Sequence, residues 1–181
     1  MLKNKKGFTL IELLIVIGII AILAGIVLVA VNPAQQFGKA NDSERKSEIG
    51  TILSAVYQYQ TSPTARGALP ECEDVDTATD VAIPDCTADN SGAVQLGTGA
   101  GNYDCTAALV PSYLREIPVD PTTTYTAADT GYYICQSNGA DPSTSIVTVF
   151  APGAEVFTTG ADTCLDPTGN GTTDYTMCVG G

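Results

Sequence analysis

Three sets of residues in this chain have types and spacings that could do chemistry. The first is Gly7-Phe8-Thr9-Leu10-Ile11-Glu12, preceded by the cations Lys3, Lys5 and Lys6 and followed by a long apolar run. A basic segment ahead of apolar residues resembles a secretory signal, but such a signal is cut behind its apolar stretch, after small residues. Here the place for a cut precedes that stretch, and cutting there keeps the apolar run on the mature chain. The second set is six cysteines, Cys72, Cys86, Cys105, Cys135, Cys164 and Cys178. The third is an oxygen-rich set, Asp162, Asp166, Asn170 and Asp174, in a Gly-rich stretch.

Glu12 is the residue whose placement demands a reason. A carboxylate in an apolar helix costs on the order of 2.5 to 3.5 kcal/mol at a bilayer centre and usually has a partner. Before cleavage the sequence offers none nearby. Cutting after Gly7 makes a positive amine on Phe8 one helical turn away, at a helix amino terminus that itself favours negative charge. If Glu12 pairs with the amine of a neighbouring copy, the buried charge sets the axial stagger of one helix on the next. An ordinary membrane anchor explains the lysines and the apolar run, but not a small residue at 7, an aromatic at 8 and an acid at 12 together.

The cysteines, even in number and all beyond residue 66, read as a disulfide framework in an oxidising compartment. Sequence does not fix their connectivity. A sequential pairing, Cys72 with Cys86, Cys105 with Cys135 and Cys164 with Cys178, is the expectation; its first and third bridges would each close a short loop and contribute about 3 kcal/mol. Zinc is a poor alternative, because the chain has no Cys-x-x-Cys and no histidine. Asp162, Asp166, Asn170 and Asp174 are hard donors of the kind calcium takes, although their spacing is not that of an EF-hand loop. A solvated acidic loop is the plainer reading of the four. With no histidine, no Gly-x-Ser-x-Gly and no phosphate-cradling loop, the usual catalytic constellations are missing. The chain reads as the substrate of an enzyme and not as an enzyme; no cofactor is expected, calcium aside.

The elements that must position these residues follow from hydropathy and breakers. The uncharged run from Leu13 to Val31 is about 28 Å long as a helix, enough to cross a hydrocarbon core of about 30 Å. The lysines ahead of it belong on the cytoplasmic side, which sends everything after Val31 across the membrane. Gly18 and Gly25 loosen this helix, and Pro33 removes a backbone hydrogen bond and opens or kinks it. Ile49, Ile52, Leu53 and Val56 then recur at helical spacing, with Glu44, Arg45, Lys46 and Glu48 expected on the wetter side. Breakers at Thr61-Ser62-Pro63 end the helix near Gln60. Residues 61–104 read as a long decorated loop, and residues 103–114 as the place of a short helix. Residues 131–136, 145–150 and 155–158 have strand character and suggest an antiparallel meander, with residues 175–179 as an edge strand. Four acids precede Arg66 and the other sixteen follow it, where Arg115 is the single cation. Such a surface repels phosphate, so direct nucleic acid binding is not expected.

Gly-Phe-Thr-Leu-Ile-Glu-Leu-Leu at 7–14 resembles the start of type IV pilins and of the pseudopilins of type II secretion. The resemblance covers roughly residues 1–60 and thins to general architecture beyond. It implies that a membrane-embedded prepilin peptidase cuts between Gly7 and Phe8, that Phe8 becomes N-methylated, and that Phe8 and Glu12 serve assembly. It also implies local helix opening around Gly18, Gly25 and Pro33, and some pseudopilins hold calcium in a carboxy-terminal loop. The segment Leu109 to Leu114 followed by Ile117-Pro118-Val119-Asp120-Pro121 is similar to one in major pseudopilins. The expected fold class is α+β, a pilin-like fold whose long amino-terminal helix packs its second half on an antiparallel sheet with disulfide-stapled loops. The expected divisions are a leader at 1–7, a membrane and filament-core half-helix at 8–31, an amphipathic half at 32–60, and an exported acidic region at 61–181 that forms one globular domain with 32–60. The expected partners are further copies in a homo-oligomeric helical filament, the membrane before assembly, the prepilin peptidase, and an assembly platform with its ATPase. A pilus subunit is the leading reading, a secretion pseudopilin the second, and a rare adhesive tip pilin the third.

Overall fold

The computed structural model of the chain describes residues 7–86, 92–136, 146–153 and 177–180. They divide into two compact units, one reaching to Phe37 and one starting at Gly38. In the first unit, helix α1 spans Leu10–Val31. It is apolar on every side, so no stripe faces any one direction. Thr9, in extended conformation, caps its start. Asn32 ends it in the left-handed region, at φ 43°, a conformation that asparagine tolerates better than most residues. The residue before a proline is disfavoured in the helical region, so the stop at Asn32 follows from Pro33. The backbone is continuous through Gly18 and Gly25.

Helix α2 spans Pro33–Gln60, with proline at the first helical position, where its missing N–H costs nothing. Its buried positions are Gly38, Asp42, Arg45, Ile49, Ile52, Leu53, Ala55 and Val56, which recur every three or four residues along one face. The upper part of that stripe is polar and the lower part aliphatic. Arg45 thus lies inside, with 0 % exposure, and not on the wet side its charge suggested. The spacing from Arg45 to Ile49, Ile52 and Val56 decides its side of the helix; charge alone does not.

Among the described residues of the second unit are two antiparallel sheets. Strands β1 (Glu71–Asp74), β2 (Thr79–Ala82) and β4 (Tyr103–Asp104) form one, in the order β2-β1-β4. Strands β3 (Val94–Gln95), β5 (Tyr133–Gln136), β6 (Val147–Ala151) and β7 (Met177–Gly180) form the other, in the order β3-β5-β6-β7. A short helix, α3, spans Thr106–Leu109. The stretch 61–104, expected as loop, therefore holds a hairpin and two further strands. Its hairpin turn is built by Asp74, whose side chain accepts from the Asp76 N–H at 3.0 Å while its carbonyl accepts from Ala78 at 2.8 Å. The meander expected at 131–136 and 145–150 is present as the β5–β6 pair, with Ile134 opposite Val149. Residues 155–158 lie outside the described residues, and β7 is the second neighbour of β6.

The apolar core joins Ile49, Ile52 and Val56 of α2 to Ile134 of β5 and Val147, Val149 and Ala151 of β6. Complete burial of each aliphatic side chain stabilises by about 1.5 to 3 kcal/mol. A polar tie joins the helix to that sheet, the Val147 N–H donating to the Tyr57 hydroxyl at 3.3 Å, and the Tyr59 ring meets that of Tyr113, beyond α3, edge to face at 5.7 Å. The fold is thus α+β, an amino-terminal apolar helix followed by antiparallel sheets and two disulfides.

The disulfides join Cys72 to Cys105 and Cys86 to Cys135, which corrects the sequential pairing for all four. Strand register supplies the reason. Glu73 of β1 stands opposite Asp104 of β4, so the next pair along the same antiparallel ladder is Cys72 and Cys105, with Cα atoms 4.3 Å apart. Likewise the Cys86 N–H donates to Gln136 and the Gln136 N–H donates to Pro84, which lays Cys86 beside Cys135. Cys164 lies outside the described residues, so the expected bridge to Cys178 does too.

Candidate functional site

Gly7 and Phe8 precede α1 on exposed backbone, and the Phe8 side chain is 85 % exposed. Thr9, in extended conformation, caps the helix that begins at Leu10, so the Gly7–Phe8 bond lies ahead of its first turn. Thr9 and Glu12 form a reciprocal capping box. The Glu12 N–H donates to Thr9 Oγ1 at 3.3 Å, while the Thr9 N–H and the Thr9 hydroxyl both donate to Glu12 Oε2 at 2.8 Å. Glu12 therefore has a partner in the uncut chain, contrary to the sequence expectation that it has none. The signal was present: a threonine followed three residues later by glutamate, ahead of an apolar run, is the capping-box pattern. Both bonds converge on Oε2, so Oε1 faces no donor among the described residues.

Around that acid, the large apolar side chains of α1 are exposed among the described residues. Leu10–Leu28 is long and apolar enough to cross a membrane, and none of it is buried within the chain. Ile11, Ile15, Ile19, Ile22 and Ile26 are each more than half exposed. Gly18 and Gly25 have open space where a side chain would stand. Pro33 sits one residue after the helix break at Asn32.

The polar part of the α2 stripe is the second constellation, and the sequence pattern did not reveal it. Arg45 donates through Nε to Asp120 Oδ2 at 2.7 Å, through Nη2 to Asp120 Oδ1 at 3.0 Å, and through Nη1 to Asp42 Oδ1 at 2.8 Å. The side chains of Arg45 and Asp120 are both fully buried. Asp120 also accepts from the Thr122 N–H and hydroxyl. Burial acts to raise the Asp120 carboxyl, but the bonds from Arg45 and Thr122 outweigh it and hold it below the usual aspartate range. Burial likewise acts against the Arg45 cation, and its two carboxylates reverse that and hold the proton more tightly than usual. One turn on, the Tyr132 hydroxyl donates to Glu48 Oε2 in a short bond. Burial raises the Glu48 carboxyl against that bond, and burial, reinforced by Glu48, raises the Tyr132 phenol. This assembly locks α2 to the segment carrying Asp120 and has no open reaction space at Arg45; its chemistry is structural.

Asp162, Asp166, Asn170 and Asp174, the residues considered for calcium, lie outside the described residues. Among the described residues no three histidine, cysteine or carboxylate side chains gather closely enough to hold a metal ion.

Residues 2–28 match the family model of the prokaryotic N-terminal methylation motif, the signature carried by type IV pilins and pseudopilins. The match takes in Gly7, Phe8, Thr9, Glu12 and most of α1, and nothing of the second unit. No curated protein and no solved structure matches the chain.

Proposed function

We propose that the chain is the structural subunit of a type IV pilus-like filament, cut between Gly7 and Phe8, N-methylated on Phe8 and assembled through α1. The observation that carries this reading is an apolar helix of 22 residues, unburied within its own chain and bearing the methylation motif. Such a helix requires lipid or other helices around it, and a filament core supplies the second when the membrane is left behind. The prepilin peptidase, an assembly platform and its ATPase are the partners that this route implies, with the second unit outside the membrane.

Glu12 has a definite part in it. The Thr9 N–H and hydroxyl lie downstream of the cut, so the capping box survives processing intact. Cleavage then adds a charged amine as a further donor, which Glu12 of a neighbouring copy can accept through Oε1. The capping box lowers the cost of carrying the acid through the membrane, and the intermolecular pair sets the register. Phe8 and Glu12 are thus the assembly residues of the proposal, while Pro33 after Asn32 supplies the break in the helix. A secretion pseudopilin is the second reading, favoured by the segment Ile117 to Pro121 and its Asp120 anchor. An adhesive tip subunit is distinguished from the main pilus subunit by its low abundance in sheared fibres.

Mass spectrometry of sheared surface fibres tests the proposal. The expected species begins at methylated Phe8 and lacks six hydrogens, for three disulfides. Fibres whose subunits still begin at Met1 would overturn it.

A further inference from the structure

A cavity of about 450 Å³ opens in the second unit between α2, residues 96–98, the start of α3 and residues 116–119. That volume lies in the range of small-molecule pockets. Leu96, Cys105 and Thr130 in its lining are buried, whereas Thr98, Glu116 and Ala127 are exposed, so it runs from core to solvent. Val110, Ile117 and Pro118 make its walls largely aliphatic. Glu48, Asp104 and Glu116 all contribute to the lining, and no lysine or arginine does.

The carboxylates differ in how they are satisfied. Asp104 accepts from the Thr106 N–H at 2.8 Å, and Glu116 is exposed to water. Glu48 is half-buried and bonded to the phenol of Tyr132. Arg45, the cation one turn before it on α2, is taken up by Asp42 and Asp120. Burial raises the Glu48 carboxyl, the mark of a negative charge that its surroundings under-compensate. The three acids are spread around the cavity and do not converge as a metal ion would require. One acid at the end of an aliphatic wall suits instead a cation with an apolar stem, whose head is paired and whose methylenes leave water.

We propose that this cavity binds a small organic ammonium compound, its head on Glu48 and its alkyl stem against Val110, Ile117 and Pro118. The inference does not depend on filament assembly, since every residue it uses lies in the second unit.

The test is a chemical-shift titration of the full ¹⁵N-labelled chain in zwitterionic micelles with n-butylammonium, and with n-butanol as its neutral counterpart. Saturable shifts are expected around residues 96–98 and 116–119, with butylammonium binding about tenfold tighter than butanol, the order of a charge-assisted hydrogen bond. Glu48→Gln should remove that preference, and the exposed Glu116→Gln should weaken it only about twofold. Equal affinity for butylammonium and butanol on the unaltered chain would overturn the proposal without recourse to any variant, as would an unchanged preference in folded Glu48→Gln. Tighter binding of Nα-acetyl-lysine methylamide than of butylammonium would assign the cavity to a protein side chain and overturn the small-molecule reading.

Discussion

Ile19 of α1 and Ile52 of α2 are the same side chain in opposite circumstances: the first is 54 % exposed and the second 0 %. Ile52 is covered by the chain's own sheet, with Ile134, Val147 and Val149 in the same core. Ile19 has no cover from its own chain, nor has any large apolar side chain among residues 10–28. Among its described residues, the second unit is stabilised by burial, a bidentate buried ion pair and two cross-links. The first unit holds its backbone together by helical hydrogen bonds and a capping box, and its large apolar side chains from Leu10 to Leu28 stay exposed among the described residues. Substitutions in the second unit should therefore act on its folding, and those in α1 should leave that folding unmoved.

The largest expected effect on stability is at Arg45. Arg45→Ala leaves Asp120 and Asp42 charged without their cation, and removal of one partner of a buried pair costs about 3 to 5 kcal/mol. Urea unfolding of the full chain in micelles, followed by near-ultraviolet circular dichroism, should show that loss while α1 stays inserted. A loss under about 1 kcal/mol would mean that the buried ion pair does not hold the second unit. Next come the cross-links. Replacing Cys86 and Cys135 together by serine should cost about 2 to 4 kcal/mol, read by the same unfolding. Peptide mapping without reduction should recover Cys72 with Cys105 and Cys86 with Cys135; a Cys72–Cys86 peptide would refute the register argument.

Acidity separates two acids close to Arg45, with opposite signs. Asp120 is held below its ordinary value near 3.8, so its contribution is complete above that value and is lost as pH falls through its lower folded value. Glu48 is raised above its ordinary value near 4.5, so its contribution is complete below that value and is lost as pH rises through the raised one. Glu48→Gln should accordingly stabilise the protein at neutral pH, with the gain vanishing toward pH 3, whereas Asp120→Asn should destabilise at neutral pH and lose much of that penalty in acid. Urea midpoints at about pH 3 and about pH 7 check both directions; a Glu48→Gln gain that grew in acid would contradict the assignment. The smallest effect is at Thr9. Thr9→Val removes the reciprocal cap, and first-turn amides of α1 should exchange roughly fivefold faster, the order expected for a lost N-cap, with the second unit unmoved.

How far the sequence could be read tracks how strongly each feature is patterned. The uninterrupted apolar run announces α1, and the aromatic and β-branched content of residues 131–136 and 145–150 announces β5 and β6. The Glu71–Asp74 and Thr79–Ala82 strands are four residues each and have Cys72 as their one buried position, so too few inward aliphatics mark them. Their pairing depends on an Asp74 turn and a cross-link between distant positions, and neither is local. Arg45 is placed by its spacing from Ile49, Ile52 and Val56, a signal that its charge masks in the sequence. Glu12 is legible as an anomaly, and its partner Thr9 is legible as the threonine of a capping-box pattern.

Glu12→Ala tests the central claim most directly, that α1 is an assembly surface registered by its acid. Sheared fibres and membranes should be compared for the variant and the unaltered chain by quantitative mass spectrometry. The account predicts membrane-held protein that still begins at methylated Phe8, a second unit with unchanged unfolding, and almost no fibres. Fibres of Glu12→Ala in normal number and register would contradict it.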